Sequence, residues 1–326
     1  MTDFTILVLP GAYPTSVAVT LDVLRAASSL APRMKIARPT WRVLSPATSP
    51  VSLSGGMHVE AAVLPQRSRR DDAIWIIPGL GLDTPDAIAN GLASANSQRA
   101  IDAVAAHAAR GGRVAASCSA VFLLQAAGLL PGRRVTTSWW LAPELQRLEP
   151  HCIVDADRMV CADGPLSTAG AAFAQTDLLL HLLRQQFGVA LADAVGRFLL
   201  INARQAQADF VVPTMLSNGS QLIARLVARI EAALPQPPSV AMLADEFAMS
   251  QRTLSRHVRE ATGRSTMALV QSVRLNRARM LIESSRMTIE RVAEEVGYED
   301  ATALRRLMRK VTGANPSRYR SASVRP

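Results

Sequence analysis

Apolar positions change their period along this chain. In the first two hundred residues, short continuous apolar runs alternate with stretches of helical spacing. FTILVL at 4–9, AIWIIP at 73–78 and RVAAS at 113–117 are unbroken runs, as expected of strands buried on both faces of a parallel sheet. WRVLS at 41–45 reads as a further strand, and Gly55-Gly56 as a hairpin turn. Helices are predicted over about 15–28, after the Pro10-Gly11 turn, over about 98–110, and over 119–128. Strand then helix, repeated, predicts a three-layer, flavodoxin-like α/β domain with a parallel sheet.

The last third has helical spacing throughout. Thr288 can cap a helix carrying Ile289, Val292, Ala293 and Val296, and Gly297 stops it by taking the left-handed conformation cheaply. A second helix over about 300–311 turns Leu304, Leu307, Met308 and Val311 inward and Arg305, Arg306, Arg309 and Lys310 outward. Two short helices about a glycine turn, the second rich in arginine, make a helix-turn-helix. The pattern occurs twice. LSRHVREATG at 254–263 and LRRLMRKVTG at 304–313 share L-x-R-x-(V/M)-R-x-x-T-G, and each follows a similar first helix, LADEF at 243–247 and VAEEV at 292–296. Such self-similarity signals a duplicated unit. The amphipathic run 266–284 predicts a long helix bridging the copies.

This stretch, over about 239–320, resembles the AraC/XylS-type transcriptional regulators, whose DNA-binding domain joins two helix-turn-helix units by a long helix. The ending GYED, then LRRLMRK, then TGANPSRYR carries the resemblance, with Leu304 and Met308 standing where the family usually has phenylalanines. Those swaps keep apolar bulk, so packing should absorb them. The resemblance implies that Ser250 caps the first recognition helix and that Arg252, Ser255 and Arg256 face the major groove of double-stranded DNA. Ala301, Thr302, Arg305 and Arg306 hold the corresponding places in the second unit. Arg259, Arg309 and Lys310 are phosphate contacts. Arginine can bond guanine bidentately, discriminating by roughly 1–3 kcal/mol. For the equivalent pair Arg256 and Arg306, ion pairs inside the domain are the alternative.

Charge agrees with this reading. From Pro235 onward there are 16 basic and 9 acidic residues, a net +7, against +3 from 20 basic and 17 acidic residues before it. Basic charge gathered in the reader is the footprint of phosphate binding. A length of 326 residues suits two domains, and 49% hydrophobic content allows sizeable cores. The N-terminus does not read as a signal peptide, and no run of roughly 18 apolar residues marks a membrane span. Cys118, Cys152 and Cys161 form no CxxC, and the five histidines have no metal-ligand spacing, so a cytoplasmic protein without metal or other cofactor is expected.

In an open α/β sheet, ligands sit at the carboxyl ends of the strands. Three loops converge there: 10–13, 78–81 and 117–120. Cys118 lies directly between a strand and a helix among small neighbours, the position of a nucleophile elbow, where a helix N-terminus can activate a thiol. The bland alternative is a small buried residue. Over about 4–187 the chain resembles the PfpI-like branch of the class I glutamine-amidotransferase superfamily, on IIPGLG, AASCSA, GLLPGRRVTTSWW and LSTAGAAFAQTDLLL. Active members pair the cysteine with a histidine and often with an acid. Here Ser119 follows the cysteine, Ser138 stands where histidine is common, and Ser16 stands near the acid's place. A thiol without base or orienting acid lacks the activated constellation. The pocket is therefore expected to bind rather than catalyse, with Gly11, Gly79, Cys118, Ser119 and Ser138 holding an effector.

Together the resemblances imply a regulator, an activator, with a PfpI-like sensor at 1–190, a helical coupling segment and proline-rich linker at 191–238, and a double helix-turn-helix reader at 239–321. Its helices at about 193–203 and 216–234 would pack beside the sensor or couple it to the reader, and the RQAQADF stretch at 204–210, between the domains, also resembles this subgroup. The expected partners are promoter DNA, an amino-acid or amine-like effector, RNA polymerase and a second copy of the chain, with no membrane. Two alternatives stand beside it: a cysteine-dependent amidase or hydrolase with a DNA-binding tail, and a regulator that senses redox state through Cys118.

Overall fold

The computed structural model describes residues 2–65, 72–201 and 221–312, and the side chains within them except at 283–284 and 310–312. The chain forms two compact units that divide between Arg204 and Gln205. RQAQADF, the predicted helix-end residues 202–203 and 216–220, and TGANPSRYR beyond Thr312 lie outside the described residues.

The first unit contains strands β1 (Phe4–Leu7), β2 (Trp41–Ser45), β3 (Val51–Ser52), β4 (His58–Val59), β5 (Ala62–Val63), β6 (Ile74–Ile77), β7 (Val114–Ser117), β8 (Arg134–Val135), β9 (Ile153–Val154), β10 (Val160–Asp163) and β11 (Leu166–Ala169). Seven of them make one sheet in the order β10-β11-β7-β6-β1-β2-β5. All its pairings are parallel except β10 with β11. The predicted apolar runs are its buried centre: every residue of β1, β6 and β7 is buried. The antiparallel pair β3–β4 turns through Gly55 and Gly56, both at positive φ, as the hairpin reading requires.

Helices α1 (Pro14–Leu30), α2 (Pro85–Leu92), α3 (Ala95–Ala109), α4 (Val121–Ala126), α5 (Ala142–Leu148), α6 (Ala174–Phe187) and α7 (Val189–Phe198) complete this unit. Alternate residues of β1 divide the core, Phe4 and Ile6 on one face and Leu7 on the other. On one side Val23, Leu24, Leu178, Leu182 and Val195 bring in α1, α6 and α7, and on the other Val104, Phe122 and Leu145 bring in α3, α4 and α5. This is the three-layer arrangement the sequence predicts. Helix α7 packs on α1 and α6, so the start of the predicted coupling segment belongs to the α/β unit.

The second unit is helical: α8 (Gln221–Ala232), α9 (Val240–Glu246), α10 (Gln251–Thr262), α11 (Thr266–Ser284), α12 (Ile289–Glu295) and α13 (Ala301–Thr312). Its helix starts are written in the sequence. Ser239, Ser250, Ser265 and Thr288 each accept a hydrogen bond from the backbone N–H three residues on, and Asp300 does the same for Ala303 at 2.7 Å. Gly297 has φ +78°, and its equivalent in the first copy, Ala248, has φ +53°, so both turns pass through the left-handed region. Ile223, Leu226, Val227 and Ile230 are fully buried as α8 packs on α11, while Arg229 forks onto Glu246 at 2.6 and 2.7 Å. The end of the predicted coupling segment is thus built into the helical unit. Leu304 and Met308, 0% and 1% exposed, fill its core among Leu275, Ala278, Ile282, Val292 and Val296. From the bridging helix, Arg274 donates to the carbonyls of Val296 (2.8 Å) and Gly297 and lies 3.7 Å over the Tyr298 ring, gripping the end of α12.

Candidate functional site

The end of β7 delivers Cys118 into a short 3-10 turn that leads to α4. Its φ of +55° is one that non-glycine residues rarely take. Backbone contacts on both sides hold it there: its N–H donates to Gly170 O at 2.7 Å, and the Thr137 hydroxyl donates to its carbonyl at 2.7 Å. The expected elbow is therefore present in the backbone.

The three loops meet over the thiol. Tyr13 N–H donates to Gly79 O at 2.9 Å, and Gly11 N–H to Ser52 O at 2.9 Å. A methyl placed on Gly79 would lie 3.2 Å from Cys118 Cβ, 3.4 Å from the Tyr13 ring and 3.5 Å from Ser16 Oγ, so its missing side chain leaves room above the cysteine. Gly81, at φ +74°, lets the second loop approach the first so closely that a methyl there would overlap the Gly11 carbonyl. Gly79, Cys118, Ser119 and Ser138 are buried together, whereas Gly11 sits exposed at the rim.

Chemically the thiol is surrounded by hydroxyls. Ser138 Oγ donates to Cys118 Sγ at 3.1 Å. Burial pushes the thiol pKa up, against the opposing pull of Ser138 and Ser119, and the Asp83 carboxylate adds to the rise. Ser119 Oγ is buried and has no hydrogen-bond partner of ordinary geometry among the described residues, while the Ser119 backbone N–H and hydroxyl both favour the thiolate. Ser16, near the acid's place, is fully buried and donates to Ala172 O at 3.3 Å. Cys118 is accordingly a neutral thiol at ordinary pH. The phenol of Tyr13 is also pushed up, by burial first and then by Cys118 and Asp83.

Tyr13, Asp83 and Trp140 belong to this site although the sequence reading did not single them out. Trp140 Nε1 donates to the Asp83 carbonyl at 3.2 Å and its ring meets Trp139 edge-on at 5.2 Å. Asp83 follows the GLG turn by two positions, a cue that the sequence did carry. Among the described residues no group of three or more His, Cys, Asp or Glu could hold a metal ion, and no helix is long and apolar enough to cross a membrane.

In the helical unit, Arg252, Ser255, Arg256 and Arg259 are exposed on α10 and, with Thr253 and Ser265, line an open groove of about 630 Å³. Arg256 makes only a loose contact with Glu260, 3.9 Å, so the internal ion pair weighed for it is weak. On α13, Thr302, Arg305, Arg306 and Arg309 are exposed, and the Lys310 side chain lies outside the described residues. Ala301 requires a correction. It is 8% exposed and packs in the core, because it precedes Leu304 by three positions and Met308 by seven and so shares their inward face. Arg305 donates to Glu290 Oε1 at 2.7 Å, a contact between α13 and α12.

A DJ-1/PfpI family model matches residues 4–185, and a helix-turn-helix domain model matches residues 243–322. The HTH-type transcriptional regulator CdhR of Pseudomonas aeruginosa is 26% identical over 325 residues, 98% of this chain and 91% of that protein. The HTH-type transcriptional regulator GlxA of Rhizobium meliloti is 26% identical over 314 residues, covering 94% and 92%. Among solved structures, a DJ-1 superfamily protein from Salmonella typhimurium, crystallised as a cysteine-to-alanine mutant, is 25% identical with a TM-score of 0.50 over 62% of this chain and 100% of its own.

Proposed function

We propose that this chain, which belongs to the DJ-1/PfpI family and ends in an AraC-type helix-turn-helix domain, is a transcriptional regulator that answers to a small metabolite. The observation that carries the reading is the pair of recognition helices, α10 and α13, each with exposed arginines and joined through α11. At about 1.5 Å per residue the bridging helix spans on the order of 28 Å. Two units so spaced suit successive major-groove faces, about 34 Å apart.

The α/β unit supplies the sensor, and its pocket binds without turnover. A buried, neutral thiol whose neighbours are serine hydroxyls has no base to take its proton and no acid to orient one. The charge that reaches both Cys118 and Tyr13 is the carboxylate of Asp83. The Tyr13 phenol lies within its field and the Trp140 indole donates to the Asp83 carbonyl, which favours an effector with a cationic amine, an amino acid or an amine-like compound. With 1–190 as sensor and 239–321 as reader, residues 191–238 carry the signal. An effector can act only by binding two states with different affinity. The protein is a homodimer in the cytoplasm and an activator that engages RNA polymerase.

Selection of fragmented genomic DNA at near-physiological salt tests this, using the full chain beside Arg256→Ala plus Arg306→Ala. Enrichment of a few promoters by the wild type alone supports a specific regulator. A panel of amines and amino acids should then shift that occupancy, and Asp83→Asn should abolish the shift. Equal, salt-sensitive retention of all fragments by both proteins would leave only a basic surface and refute the reading.

A further inference from the structure

Among the differences between the two copies of the helix-turn-helix, one pair of positions is linked. Aligned from their N-caps, Ser239 and Thr288, the first helices place Ala241 opposite Glu290. Aligned from Leu254 and Leu304, the recognition helices place Ser255 opposite Arg305. Arg256 and Arg259 recur as Arg306 and Arg309, so the arginine that only the second copy has is accompanied by an acid that only the second copy has. In the structure these two residues touch, Arg305 Nη2 donating to Glu290 Oε1 at 2.7 Å. In the first copy Ser255 instead lies 3.5 Å from the Thr266 hydroxyl.

Stability does not account for the pair. Both side chains are about half exposed, 47% for Arg305 and 61% for Glu290, and such surface ion pairs contribute little. Its geometry has a different use. Glu290 is the second residue of α12, where its own backbone N–H first, then Arg305 and last the Thr288 hydroxyl hold its carboxyl below the ordinary range, so it stays ionised. A free arginine beside a duplex is drawn first to phosphate, which carries no sequence information. An arginine already paired to a carboxylate has lost much of that pull, because the acid repels phosphate. It keeps the rest of its planar donor fork for the two acceptors of guanine, with fewer rotamers left to freeze.

The geometry points to Glu290 as a positioning residue that commits Arg305 to reading a base edge, a device that the first helix-turn-helix lacks. This inference rests on the regulator reading above. Arg305 would contact the base directly, and Glu290 would act through it.

Selection from randomised duplexes by the full chain, read position by position, tests it. Arg305→Ala should erase the preference at one or two positions in one half of the selected site. Glu290→Gln should weaken discrimination at those same positions by roughly tenfold, raise binding to non-target DNA, and steepen the salt dependence by about one counterion. Arg256→Ala should alter the other half only, and that half's preference, intact in Glu290→Gln, reports that the variant is folded. Full preference in Glu290→Gln at positions that Arg305→Ala erases would overturn the inference, as would Arg305→Ala leaving every position unchanged. A wild type that selects no motif would instead sink the regulator reading itself.

Discussion

At Cys118, opposing effects set the state of one sulfur atom. Burial and the Asp83 carboxylate favour the thiol, while the Ser138 hydroxyl donates to sulfur and favours the thiolate. Burial wins. Removing the hydroxyl should therefore push the thiol further up, and Ser138→Ala is expected to move the pH midpoint of Cys118 alkylation upward. A hydrogen bond of about 1 kcal/mol corresponds to about 0.7 of a pH unit. An unchanged or lowered midpoint would mean that Ser138 does not stabilise the thiolate. The elbow was legible in the sequence because a cysteine flanked by small residues between a strand and a helix is a local pattern. Asp83 and Tyr13 were not singled out, since their influence on the thiol arises only when separate loops close over it. Ala301 was misplaced for a purely local reason: its three-residue spacing from Leu304 assigns it to the inner face, a periodicity present in the sequence but overridden by position along the helix.

Elements were readable in proportion to their apolar signal. The bridging helix α11 occupies the predicted 266–284, because Ser265 caps its start and Ser285 stands at its end. Strands β10 and β11 went unpredicted: VCAD and LSTA are too polar to form an apolar run, and their pairing depends on β7 lying alongside. Helix α2 is only eight residues long and buries only Ile88, too short a stretch to stand out. Helix α8 was predicted as a coupling helix but is packed as a wall of the reader. Its four fully buried aliphatics are worth roughly 1.5–3 kcal/mol each, about 6 kcal/mol or more together, comparable to the whole stability of a small domain. A fragment 239–326 should therefore fail to give a cooperative thermal transition, and a fragment 205–326 should melt cooperatively. Equal melting of the two would show that α8 contributes nothing to the reader's fold.

Across the whole molecule, charge and titratable thiols are distributed unequally, and this gives each unit its own response to solution conditions. The basic excess gathers in the last third, whereas all three cysteines and all four tryptophans lie in the α/β unit. Cys152 and Cys161 are pushed up to about 11, chiefly by burial, from an ordinary value of 9.0, and Cys118 is also raised. Between these limits the native unit holds protons that the unfolded chain has released. Stability from this source is therefore full below about pH 9 and is lost progressively as pH rises toward 11. Tryptophan fluorescence reports the α/β unit alone, so its thermal midpoint should fall by several degrees between pH 9 and 11. Replacing both Cys152 and Cys161 with alanine removes two of the three thiols that link proton release to unfolding over this window. That variant starts less stable, because each substitution leaves a small void, yet its midpoint should decline less steeply with pH than the wild type's. Parallel declines in the two proteins would assign the alkaline loss to other groups: Cys118, whose raised thiol contributes above pH 9, and Tyr13, whose raised phenol begins to contribute above pH 10.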